Sequence, residues 1–520
     1  MAIIESNIRH RYSRSRASAS DRERSRSWLI CFAAVISVLL LLPFVGHTET
    51  TPDLVLRGTV EGKDNHTYRL ISFTVPPGTA RITLEVNYSG KEQHTVLDWG
   101  LFDPSGFRGW SGGNKSLFTV SASDATPSYL PGEIVPGLWK LLIAVPNIRP
   151  NTTSEFSANV YFSRSGVVAA EPGILPAVLK SAAGWYRGDL HSHTAHSDGS
   201  CESQSGKKVP CPLFLTAQTA ARRGLDFLAI TDHNTTSHFS EVRELQPFFD
   251  KLLLIPGREI TTFQGHANLF GTTDFVDFRV TSDSVPAWND LLRRLPSDGV
   301  VLSVNHPSRP TGEVCMGCGW HPDPEVDWRL IHVMEAVNSY DSATSSSGSG
   351  FWQSKLNEGF RITGIGGGDN HNALASIPGP GSVGYPTTVV WANTLSMRAI
   401  LEGILTGHAF IDVTGSTNRV LEFTASSSAR RAAMGDTLRL AASTPAMFQV
   451  RVQAAAGGNI EVIEDGGTIR PLQDPNVTQP DQSFSFHWTS DPGRHWFRIN
   501  VRDNDGKLWL VGNPIYINFD

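Results

Sequence analysis

The sequence predicts an α/β barrel set between two β-sandwiches, and three observations carry the prediction. Between residues 188 and 371, six apolar, strand-like runs end in His, Asp or Glu. Through the same stretch helical signals alternate with strand signals, as in successive βα units. On either side, short runs of strand period follow one another between turn signals, which argues for sandwiches. A barrel suits the six runs because the C-terminal ends of its strands gather residues that lie far apart in sequence.

The chain opens with seven arginines and three acids in 27 residues, followed by an uncharged, mostly apolar stretch of 19 residues from Trp28 to Gly46. With the small-residue exit near Gly46-His47-Thr48, residues 1–48 read as a secretory signal peptide or as an uncleaved membrane anchor, since 19 residues nearly span a bilayer. Both place the body outside the cytoplasm, periplasmic or extracellular. The whole chain carries a formal charge of −6, and −10 remains once the first 27 residues are set aside. No basic face is indicated, so nucleic acid is not an expected partner. A membrane is one only if the N-terminal segment stays attached.

Residues 50–165 hold strand-period runs at 68–75, 81–86 and 137–145, punctuated by Val75-Pro76-Pro77-Gly78, Asp103-Pro104-Ser105-Gly106 and Val135-Pro136-Gly137. They predict an N-terminal β-sandwich. An Ala, Pro and Gly-rich linker over 166–184 leads into residues 185–415, where helical signals at 213–223 and 397–406 flank strand signals such as 387–391. Residues 342–350 are Ser/Gly-rich and read as a loop. From 416 to 520 the strand pattern returns, at 448–452, 459–463 and 496–501, predicting a C-terminal β-sandwich.

The chemistry lies in the middle segment. His191 and His193 stand two apart, so on a strand they point to one side and can reach one cation. Asp198 follows in a Gly-containing turn. The other runs end in Asp232-His233-Asn234, in Glu259 with His266 seven residues on, in Asn305-His306-Pro307, in Glu335, and in Asp369-Asn370-His371. A carboxylate can hold one metal with each oxygen, which makes Glu259 the bridging candidate. Two ions about 3.5 Å apart that share a water lower its pKa, giving a bridging hydroxide nucleophile. Nitrogen and oxygen ligands without thiolate suit zinc, manganese or iron. Arg258 and Arg309 sit beside these positions and either grip an anionic substrate or pair with a neighbouring acid. Glu335 reads as an orienting group, Asp232 as a hydrogen-bond partner of a ligand histidine, and His196 and His321 as surface histidines.

Of the four cysteines in the body of the chain, Cys201 and Cys211 bracket a polar insertion after the first motif, where a disulfide would pin a loop. Cys315-Met316-Gly317-Cys318 reads as a second, tight disulfide or as half of a zinc site. For the latter only His321 offers itself nearby.

The ordered motifs HSHTAHSDG, LDFLAITDHN, IPGREITTFQGHANLFG, NHP and GGDNH make the chain from about Trp185 to Phe410 resemble a PHP domain, of the polymerase and histidinol phosphatase superfamily. The resemblance implies a distorted β/α barrel around two or three metal ions. It implies that His191, His193, Glu259 and Asp369 hold a first ion and that Asp198, His233, Glu259 and His371 hold a second. His266 and His306 would hold a third, and Glu259, Asp369 and His371 would be catalytic. Within the superfamily the chain is similar to the secreted metallohydrolases grouped with carbaryl hydrolase. The function expected is a metal-dependent hydrolase of a small-molecule or polymer-derived substrate. Phosphoesters are favoured, with a carbamate, ester or amide bond as the alternative. A further alternative is a non-catalytic polymer-binding protein.

Overall fold

Alternation of buried and exposed side chains sets both ends of the chain. Strands Leu54–Glu61, Thr153–Arg164, Thr79–Tyr88 and Leu117–Ser121 pair antiparallel in that order. A second antiparallel sheet runs Thr67–Val75, Gly137–Asn147, Val96–Asp103, Gly106–Gly112. One sheet turns Val60, Ile82 and Phe118 inward and the other Phe73, Trp99 and Trp139, and these share one core. The computed structural model describes residues 51–113, 115–164, 178–296, 299–313, 315, 317–376, 379 and 381–519. The expected signal peptide or anchor and most of the 166–184 linker lie outside the described residues. Among the described residues no helix is long and apolar enough to cross a membrane.

The middle of the chain forms one mixed sheet in the order Thr363–Gly367, Val333–Asn338, Val301–Val304, Gly265–Phe270, Leu253–Thr262, Phe227–Ile230, Gly184–Asp189, Thr387–Ala392 and Ala409–Asp412. Near-continuous apolar runs such as Phe227–Ile230 are buried on both faces, as expected of parallel strands. The first strand in this order returns to the eighth: Thr388 Oγ1 accepts from Gly366 N at 2.9 Å and donates to Gly366 O at 2.7 Å.

The expected α/β class, a distorted β/α barrel of PHP type between two sandwiches, is overturned. The described residues are mostly β, with 44% strand against 12% helix. Its five α-helices among the described residues are ten residues long or shorter. Helices do form at Leu213–Arg222 and Met397–Leu405, where the sequence signals them. The others are displaced for two reasons. Leu253–Thr262 turns directly into Gly265–Phe270 as an antiparallel hairpin, which leaves no room for a crossover helix. The described residues between His306 and the short turn Trp328–Leu330 form neither helix nor strand. Conversely, helix Gly348–Asn357 begins inside the Ser/Gly-rich segment read as a loop. Ser347 caps it by accepting from Ser349 N, and Trp352 and Leu356 are fully buried. Gly364 makes room for that indole, since a Cβ there would lie 2.7 Å from it.

The sheet does not end at the site. Ala409–Asp412 pairs antiparallel with Leu508–Gly512, and His495–Asp503, Gly458–Glu464 and Gly467–Ile469 follow in the same sheet. A four-stranded sheet, Arg430–Ala433, Val420–Ser427, Pro445–Gln453 and Asp481–Thr489, shares a core with this extension. There Phe448 lies 4.6 to 5.7 Å, ring to ring, from Phe423, Phe486 and Phe497. The N-terminal sheets are fastened to the middle by Asp124, which is fully buried. Its carboxylate accepts from Arg81, Arg243, Ser121 and Thr273. Burial opposes its ionisation, but Arg243 and Arg81 hold it below the usual carboxylate range.

Candidate metal centre

Strand ends converge on Glu259, the residue of Leu253–Thr262 that faces into the ring. His191 and His193 follow strand Gly184–Asp189, and their Nε2 atoms lie 3.1 Å apart. Each is 3.3 Å from Asp369 Oδ1 and 3.5 Å from Glu259 Oε2. Beyond strand Thr363–Gly367 the chain adopts a left-handed conformation at Asp369, φ +50°, which a non-glycine residue holds at a cost of roughly 1–2 kcal/mol. His371 Nε2 and His233 Nε2 lie 3.4 and 3.7 Å from the Asp198 carboxylate. On the other side of Glu259, Oε1 is 3.3 Å from His266 Nδ1 and 3.4 Å from His306 Nε2. All nine residues expected as ligands are thus brought together, with Glu259 between the groups.

The tautomers follow from the hydrogen bonds. His306 Nδ1 meets Cys318 O at 3.1 Å and His371 Nδ1 meets Asp369 O at 3.0 Å. A carbonyl cannot donate, so each Nδ1 carries a proton and Nε2 is the nitrogen left to a metal once it sheds any proton of its own. His191 Nδ1 donates to Glu335 Oε1 at 2.7 Å. Thr261 Oγ1 donates to Glu259 O at 3.4 Å and so accepts from His233 Nδ1 at 2.6 Å. Four imidazoles therefore present Nε2 to the centre, the arrangement in which a second partner orients a metal ligand.

Among the nine expected ligands, two buried atoms find no hydrogen-bond partner, His193 Nδ1 and Glu259 Oε2. Glu259 Oε2 is only 2.8 Å from His233 Nδ1, but that nitrogen is directed at Thr261. Zinc bonds to nitrogen and oxygen of about 2.0–2.1 Å put tetrahedral donors about 3.3 Å apart. The spacings of 3.1 to 3.5 Å among His191, His193, Asp369 and Glu259 match this. Around Glu259, the donor groups that lie close enough to hold an ion are His191, His193 and Asp369; His191, Glu259 and His306; and His193, Asp198, His233 and His371, while His266 and His306 group with the disulfide-bonded Cys318. The residues present therefore fit metal ions.

Electrostatics agree with a site built for positive charge. Against burial, Glu335, Asp369 and Glu259 hold His191 well above the ordinary range. Against burial, His233 and His191 hold Glu259 well below its range, and His191 does the same for Asp369. Burial pushes His193 down to about 4, against the pull of Asp369. Although burial disfavours its charge, Asp198 and Asp369 hold His371 up to about 9.

Two supports, Asp189 and Asn305, were not legible in the sequence. Asp189, two residues before His191, accepts from the backbone N–H of His191, Gly368 and Gly384. Asn305 Nδ2 donates to Glu259 Oε1 at 2.9 Å. Glu335 also accepts from His306 N and Asn338 Nδ2, so it orients two strand ends at once. Asp232 accepts from Thr194 and Ser197 and so braces the turn before Asp198 instead of a ligand histidine. Arg309 is tied to Asp369 Oδ2 at 2.7 Å and to Asp341 at 3.1 Å. Arg258 is not brought to the donors. It alternates with Glu259 along the strand, donates to Asp274 O at 3.2 Å and lies over Phe275. His196 pairs with Glu241 and Ser237, and His321 with Gly319 O. Both cysteine pairs, Cys201–Cys211 and Cys315–Cys318, are bonded.

No family model matches the chain, and no curated protein matches it significantly. Among solved structures it is similar to a two-domain protein from Bacteroides vulgatus containing a predicted PHP-like metal-dependent phosphoesterase. The two are 16% identical, and the match covers 68% of this chain and 99% of that one, with a TM-score of 0.35. So low a score fixes neither the fold nor the activity of this chain.

Proposed function

We propose that the chain is an exported metal-dependent hydrolase acting on phosphoesters. Its two or three divalent transition-metal ions would be held by His191, His193, Asp198, His233, Glu259, His266, His306, Asp369 and His371. The observation that carries the reading is the convergence of four Nε2 atoms on three carboxylates, with two buried polar atoms among them left unpartnered. When bound, such ions supply Lewis-acid polarisation of the scissile bond and acidify a water towards neutrality.

The chain's own residues hold and expose this centre. Glu335 and Asn305 fix His191 and Glu259 from behind, and Arg309 holds the outer oxygen of Asp369. The Asp198 side chain is 57% exposed and that of His371 40%, whereas the others, apart from partly open His233 and Asp369, are buried. Substrate therefore reaches the donors past Asp198 and His371. The preference for phosphoesters comes from the resemblance of the motifs.

The test is metal content of the purified chain beside Glu259→Ala, followed by turnover of chromogenic phosphoesters and carboxylic esters after chelation and metal return. Two or three equivalents, falling sharply in the variant, with phosphoester turnover that follows the metal, are expected. Less than about one equivalent, unchanged by the substitution or by added metal, overturns the hydrolase. Turnover of esters alone overturns the substrate class.

A further inference from the structure

The donor group around His266 and His306 is the poorest in oxygen. Its nearest carboxylate atom, Glu259 Oε1, is already engaged by Asn305. The third atom the fold places there is Cys318 Sγ: it and one ring nitrogen of each histidine all lie within 4.8 Å of one another. Cys318 is 1% exposed, His266 5% and His306 3%. Metal bonds of about 2.3 Å to sulfur and 2.0–2.1 Å to nitrogen put such donors about 3.6 Å apart, so shifts of at most about 1.2 Å bring them onto one ion.

The backbone holds the sulfur in this place. Cys318 O accepts from His306 Nδ1 and so fixes that ring. Gly317, at φ +74°, presses so close to Thr262 O that a Cβ would lie 2.0 Å from it. Trp320 N donates to Pro307 O and His321 N to Gln264 O. These contacts pin the loop both to the hairpin that carries His266 and to the turn that carries His306.

We propose that Cys315 and Cys318 form a thiol switch on this metal position: oxidised, the pair withholds its sulfur, and reduced, Cys318 joins His266 and His306 as a ligand. The inference rests on the metal-centre reading above. The reductant is a dithiol. One of its sulfurs attacks Cys315, the less buried partner, and Cys318 leaves as thiolate. The second dithiol sulfur then displaces Cys315, and the dithiol ends as a disulfide having given two electrons. Of its two protons, one goes to Cys315 and the other to solvent as Cys318 takes the metal.

The test uses the full chain loaded with cobalt(II), oxidised and after treatment with a dithiol that is removed before loading. Reduction of the wild type should bring a thiolate-to-cobalt charge-transfer band in the near ultraviolet, with a gain of about one equivalent of bound cobalt. Cys315→Ser should show the band without reductant. Cys318→Ser should lack it throughout, which excludes Cys201 and Cys211 as its source. Equal cobalt with no band in the reduced wild type or in Cys315→Ser overturns the switch and leaves the metal centre standing. No cobalt in any form overturns both. The wild-type comparison does not depend on whether a variant folds.

Discussion

Replacing Glu335 by Gln asks whether the centre depends on the group that orients it. The buried carboxylate accepts from His191 Nδ1 at 2.7 Å, His306 N at 3.0 Å and Asn338 Nδ2 at 2.8 Å. An amide of the same shape has one acceptor oxygen in place of two, so at least one donor is left facing an NH2 group. A buried donor without a partner costs about 1–3 kcal/mol. The cost falls on the rings of His191 and His306, because their orientation is what the carboxylate fixes. Loss of an orienting partner weakens metal affinity by about 10–100-fold, which is about 1.4–2.8 kcal/mol, and the two figures agree. The assay is competition for zinc or manganese with a chromogenic chelator near neutral pH, beside a circular dichroism melt. An affinity within about twofold of wild type, with the melt unchanged, would refute the orienting role.

Other outcomes follow from neighbouring features. Asp124→Asn should destabilise the protein by roughly 3–5 kcal/mol at about pH 7, because it leaves Arg81 and Arg243 buried without their counter-charge. Since the folded Asp124 titrates below its ordinary value of about 3.9, its contribution is present above that pH and is lost as pH falls. Denaturant titrations at about pH 7 and about pH 3 should show the gap between variant and wild type narrowing, and a constant gap would count against the ion pairs. His371, raised to about 9 in the fold, stabilises the metal-free chain fully below about pH 6.5 and loses that contribution as pH rises through about 9. Melts of the metal-free chain across this range should fall and those of His371→Asn should fall less. Metal loading near neutral pH should release protons, read with an indicator dye in weak buffer, since ligands must shed them.

The candidate site was more legible than the fold, and for a physical reason. Ligand residues need only the right type at a strand end, and His191, His193, Glu259 and His371 announce themselves by spacing within short motifs. The strand at Thr387–Ala392 and the helix at Met397–Leu405 were equally clear from local period. What local period cannot disclose is how strands pair. Nothing in Leu253–Thr262 or Gly265–Phe270 says that they fold back as a hairpin, because runs buried on both faces read alike in parallel and antiparallel sheets. Asp189 and Asn305 escaped notice because most of their partners lie in other segments, and Cys318 was read beside His321 alone because only the fold brings His266 to it.

The unbroken run of strands from the centre into the last hundred residues bears on how the chain can be divided. Ala409–Asp412 has Thr387–Ala392 on one side and Leu508–Gly512 on the other. A truncation after Gly415 would strip that second neighbour and leave a row of unpaired N–H and C=O groups along an apolar strand. Such an open edge recruits other copies of itself. Anyone trimming the molecule to its centre should therefore meet precipitate or higher oligomers on size exclusion instead of a smaller soluble protein.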